Sequence, residues 1–126
     1  MAKIIRYCKL DEEHIGDNVF DISRPNIFGN PYTHIKNKKT KALIKVKNRE
    51  EAIRLYSDYF DNMMELEGCI GDRFRAEFDR MYDVYKNQEV LYIGCYCKTD
   101  ESCHGDIIKK KLIQRSMKEK LAKIKK

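Results

Sequence analysis

Apolar residues follow two rhythms along this chain, and the switches between them set the order of its elements. Lys3–Cys8 (Lys-Ile-Ile-Arg-Tyr-Cys) reads as a first strand, and Asp17–Ile22, where polar and apolar residues alternate, as a second. Val90–Cys95 is a near-continuous apolar run of strand length, the pattern of a central strand buried on both faces. Over Arg49–Leu66, Ala52, Tyr56, Tyr59, Phe60, Met63 and Met64 recur at helical spacing with charged residues opposite. Asn48, followed by Glu50 and Glu51, suits that helix start, because its side chain can accept a backbone N–H and the acids complement the dipole. Gly68 and Gly71 interrupt the pattern. Phe74, Phe78, Met81, Tyr82 and Tyr85 then form a second helical stripe that ends at Asn87. A last helix follows Cys103–Asp106 and is expected to turn Ile108, Leu112, Ile113, Met117, Leu121 and Ile124 inward. Ala42–Val46 is a short candidate edge strand.

Helices placed between strands imply a predominantly parallel sheet. The expected fold is a small Rossmann-like three-layer α/β domain, one domain over residues 1–126. No internal repeat is present. No apolar run approaches the roughly 20 residues of a spanning helix, and the N-terminus lacks the apolar stretch and cleavage site of an export signal. Five cysteines without such a signal point to free thiols in a reducing, cytoplasmic setting.

Charge changes the picture less than the total suggests. The net charge is +6, but Lys109–Lys126 holds nine basic residues and one acidic. The rest carries 17 basic and 19 acidic residues, a balance of −2. Lys36–Arg49 forms a second basic run of seven positive residues without an acid. The chain therefore reads as an ordinary domain with two lysine-rich patches, so nucleic acid is a lesser expectation than a small ligand.

Two segments carry candidate chemistry. Arg24, Pro25, Phe28, Gly29, Asn30, Pro31 and Tyr32 lie in a loop whose prolines and glycine forbid regular structure. Arg24 suits bidentate recognition of phosphate, Asn30 a base or ribose edge, and Phe28 or Tyr32 stacking on a flat ring. The bland alternative is a structural loop in which Arg24 forms a salt bridge. Cys103, His104, Gly105 and Asp106 form a strand-to-helix turn, where free N–H groups and the helix dipole favour an anion. There Gly105 lets a ligand approach closely, His104 can bond or shuttle a proton, and Asp106 can bind hydroxyls or orient His104. The alternatives are a dipole-complementing acid and a satisfied polar residue at a helix end. Cys95, Cys97, Cys103 and His104 are spaced awkwardly for structural zinc, so neither metal nor cofactor is expected. Cys103 beside His104 is also a conceivable nucleophile, though no third partner is evident.

The pattern Arg-Pro-x-x-x-Gly-Asn-Pro-Tyr at Arg24–Tyr32, with Cys-x-Cys and then Cys-His-Gly-Asp within Cys95–Asp106, resembles a family of phages and bacteria called domain of unknown function 4326. This chain departs from it by the lysine-rich insertion after Tyr32, by a longer basic tail, and by Tyr96 in place of a tryptophan between the paired cysteines. The resemblance implies a site at Arg24, Pro25, Gly29, Asn30, Pro31, Cys103, His104, Gly105 and Asp106, and implies no reaction. The leading expectation is a cleft for a nucleotide-derived anion between the two segments, in one version a phage protein that sequesters a host nucleotide signal. The alternatives are a nucleotide-metabolism enzyme using His104 or Asp106, and a nucleic-acid-binding module using the lysine-rich patches. Ligand identity, turnover and oligomeric state are not legible.

Overall fold

A computed structural model describes residues 1–24, 26–33, 44–45, 47–97 and 103–124. The strands are β1 (Lys3–Cys8), β2 (Val19–Asp21), β3 (Tyr32–Thr33), β4 (Ile44–Lys45) and β5 (Val90–Cys95). The helices are α1 (Arg49–Glu65), α2 (Cys69–Asn87) and α3 (His104–Ile124). The main sheet has the order β1-β5-β2 and is parallel throughout, so β5 is central as its apolar run implies. Register pairs Ile4 with Leu91, Arg6 with Ile93, Cys8 with Cys95, and Asp21 with Gly94. The chain is thus a small mixed α/β domain. Tyr32–Thr33 pairs separately with Ile44–Lys45, inside the stretch where an edge strand is expected.

One face of the sheet presents Phe20, Leu91, Ile93 and Cys95 to the helices, which answer with Phe60, Phe74, Phe78, Met81, Ile108 and Leu112. On the other face the His14 and Tyr92 rings stack 4.0 Å apart, and Tyr7 meets His14 edge-on at 4.6 Å. His14 comes from the connection between β1 and β2, which packs on that face. Asn48 caps α1 by accepting from the Glu51 N–H at 2.8 Å. The expected stripes of α1 and α2 are buried or partly buried.

The inward face of α3 is different from the expected one. Ile108 and Leu112 are fully buried, but Ile113, Met117, Leu121 and Ile124 are exposed. The inward stripe continues through polar residues instead. Ser116 is buried against Met1, and Glu119 accepts from the Tyr82 hydroxyl. Apolarity misled there because the later turns meet single polar atoms, the Met1 sulfur and the Tyr82 hydroxyl, through Ser116 and Glu119.

Candidate functional site

Parallel pairing brings the carboxyl ends of β1, β2 and β5 to one edge, and the loops that leave this edge carry the candidate residues. Because β2 lies directly beside β5, the segment after Asp21 and the segment after Cys95 become neighbours. His104 joins them. Its Nε2–H donates to the Ile22 carbonyl at 2.8 Å, which leaves Nδ1 as the ring's lone-pair nitrogen. Burial holds the imidazole below its ordinary pKa, against the opposing bond to Ile22, so the ring is neutral near pH 7. The Tyr56 ring meets it edge-on at 4.9 Å, and the Tyr56 hydroxyl donates to the Phe28 carbonyl at 2.8 Å.

Each residue of the Cys103–Asp106 turn has a local task. Cys103 stands just before α3, and its sulfur receives the Gly105 N–H at 3.4 Å. The Asp106 carboxylate reaches back to the Cys103 N–H at 3.1 Å, as in a capping box, and also lies 3.5 Å from Arg6 Nε. The Asp106 N–H bonds to the Cys103 carbonyl at 3.0 Å. These N–H groups are therefore answered within the turn, and a sulfur occupies the place where an anion is expected. A Cβ at Gly105 would lie 2.9 Å from Ile22 Cδ1 and 3.0 Å from Arg6 Cδ, so protein side chains fill the space expected for a ligand.

The Arg24–Tyr32 loop is likewise built largely from internal bonds. Arg24 Nη1 donates to the Asn30 carbonyl at 2.8 Å, closing the loop on itself. Gly29 is needed at this closure, since a Cβ there would lie 3.0 Å from both Arg24 Cα and the Asn26 carbonyl oxygen. The Asn30 amide donates to the Ala52 carbonyl at 3.2 Å and is buried. Phe28 is a core residue, its ring 5.0 Å from Phe74, so it presents no face for stacking on a ligand. Pro31 is half-buried at the loop's end. Pro25 and most of the Lys36–Arg49 run lie outside the described residues, and Tyr32 is described by its backbone alone.

Residues outside both motifs complete the edge. Arg6 Nη1 approaches Cys95 Sγ at 3.6 Å, and Arg49 Nη1 approaches Cys97 Sγ at 3.5 Å. Cys95 and Cys103 sulfurs are 3.4 Å apart, and those of Cys95, Cys97 and Cys103 all lie within 4.8 Å of one another. Hydrogen bonds from Cys103 and Cys95, aided by Arg49, hold the Cys97 thiol far below its usual range. The bonds that Cys103 directs at Cys95 and Cys97, together with burial, push its own thiol up. Arg6 was not legible as a site residue, although strand alternation places it in line with Ile4 and Cys8 on the core face, where a charge is unusual. Arg49 was legible only as a helix start and as the last member of the basic run Lys36–Arg49.

A cavity of about 370 Å³ lies on the outer side of β2, between Asn26–Phe28 and the α2 side chains Arg73, Glu77 and Arg80. It borders the Arg24 loop but not the Cys103–Asp106 turn. Among the described residues no helix is long and apolar enough to cross a membrane. The family model described as Domain of unknown function (DUF4326) matches residues 5–114, which include both motif segments. No curated protein and no solved structure matches the chain.

Proposed function

We propose that this chain, which belongs to the family Domain of unknown function (DUF4326), binds a small phosphate-bearing ligand of the nucleotide class at the carboxyl edge of its sheet. The observation that carries this reading is the gathering of Arg6, Arg24 and Arg49 at that edge. Arg6 and Arg49 contact Cys95 and Cys97, while Arg24 lies close enough to feel the Cys97 charge and to disfavour a charge on His104. A guanidinium has five N–H donors in a planar fork, so each can hold its protein partner and still engage phosphate oxygens. His104, Asn30 and Gly105 contribute by fixing the two segments against each other, and the arginines do the recognising.

A domain that holds such a ligand without transforming it acts by sequestration, in the host cytoplasm if a phage encodes it. The five free cysteines accord with a reducing compartment. Native mass spectrometry of the gently purified protein tests the reading. A bound species whose mass matches a phosphorylated nucleoside, released on denaturation, supports it. A protein that carries no small molecule and acquires none from a nucleotide mixture refutes it.

A further inference from the structure

We propose that Cys95, Cys97 and Cys103 hold one zinc ion as three thiolates. This goes beyond anion binding and does not depend on it. A tetrahedral zinc with bonds of about 2.3 Å to sulfur needs sulfurs about 3.8 Å apart. The three sulfurs lie within 4.8 Å of one another, and those of Cys95 and Cys103 are 3.4 Å apart, so small side-chain adjustments suffice. Cys-x-Cys falls short of the usual two to four residues between paired ligands, and adjacent Cys103 and His104 would need a sharp turn to share one ion, but Cys95 and Cys97 on extended chain turn both sulfurs to one face. Three sulfurs need no such turn, because Cys103, just before α3, meets Cys95 at the end of β5 and Cys97 two residues beyond it.

Charge and hydrogen bonding favour the same occupant. Each sulfur has one N–H directed at it: Arg6 on Cys95, Arg49 on Cys97, and the Gly105 amide on Cys103. N–H donors at every sulfur are the partners thiolates require. Three thiolates this close repel one another strongly, and a dication among them leaves a charge of about −1, which Arg6 and Arg49 offset. Soft sulfur ligands in a compact set select zinc over the oxygen-seeking cations. Binding releases the protons of whichever thiols are not already ionised and changes no oxidation state. The fourth position falls to water or an added ligand.

The test uses full-length protein, reduced and stripped of metal, then titrated with zinc alone and with cobalt alone. Uptake of about one zinc per chain, sulfur-to-cobalt charge-transfer absorption, and protection of the half-buried Cys97 thiol from a chromogenic disulfide, reversed by chelator, are the expected results. Cys69→Ser, at an exposed position remote from the cluster in sequence, should bind equally well, whereas Cys97→Ser should lose at least tenfold in zinc affinity. Thiol protection in the wild type needs no variant, so it decides the matter even if Cys97→Ser fails to fold. Absence of zinc uptake by fully reduced protein, unchanged uptake in Cys97→Ser, or thiol reactivity indifferent to zinc would overturn the proposal. None of these readouts involves a nucleotide, so failure of the zinc site and failure of the anion site are separately visible.

Discussion

Replacing His104 with glutamine separates its bond from its titration. Glutamine can place an N–H where Nε2 donates to the Ile22 carbonyl, but it cannot gain a proton. In the wild type, burial lowers the folded-state pKa of His104 below its ordinary 6.5. The unfolded chain therefore binds a proton more readily, and stability rises with pH through the window between the two values. The contribution is fully present above about pH 6.5 and is lost as pH falls towards the folded-state value. One such group changes stability by at most about 1.4 kcal/mol per pH unit. Alanine should behave differently from glutamine. It orphans the carbonyl of Ile22, a residue with 0% exposure, at a cost of about 1–3 kcal/mol at every pH. Urea unfolding followed by circular dichroism, from about pH 7.5 down to about pH 5.5 on metal-free reduced protein, measures all three. The wild type should lose stability faster than the glutamine variant as pH falls. Parallel curves for these two would refute the buried neutral donor.

Tyr56→Phe removes the hydroxyl that supports the Phe28 carbonyl, and denaturant unfolding should register a loss of about 1–3 kcal/mol while the fold persists. Gly105→Ala forces a methyl against Ile22 and Arg6, so calorimetric melting should show a lower Tm, with overpacking costing about 1–3 kcal/mol. An unchanged Tm would mean those side chains move aside freely. Asp106→Ala removes the acceptor for the Cys103 N–H and a partner of Arg6, and should cost about 1 kcal/mol by the same measurement.

The fold was legible where periodicity and burial agree. Lys3–Cys8 and Val90–Cys95 are strands with the bounds their patterns imply, and the aromatic stripes of α1 and α2 face the core. Adjacency of β2 and β5 follows the parallel-sheet reading and makes neighbours of segments some 80 positions apart in sequence. The later turns of α3 were not legible, since Ser116 and Glu119 are used inward by contacts with Met1 and Tyr82 that sequence does not announce. The two motifs were visible, but their internal wiring was not. Asn30 and Phe28 look like ligand-reading residues by type, yet Ala52 and Phe74 claim them. The sulfur cluster was hidden for a related reason. Spacing along the chain cannot show that the Cys103 sulfur turns back towards Cys95.

The central claim is that the arginines at the carboxyl edge recognise phosphate, and isothermal titration with adenine and guanine nucleotides of increasing phosphate number tests it most directly. At least one phosphorylated compound should bind the wild type, and the parent nucleosides should bind far more weakly. Arg24→Gln and Arg49→Gln should each weaken binding by about 1.5–3 kcal/mol, roughly tenfold or more, as expected for loss of a charge-assisted bond. Arg80→Gln, which alters the separate cavity beside β2, should leave binding unchanged. Because Arg24 also closes its loop on Asn30, its variant is compared only after circular dichroism shows it folded. Binding that survives intact in folded Arg24→Gln and Arg49→Gln, or that is lost in Arg80→Gln instead, would contradict the account.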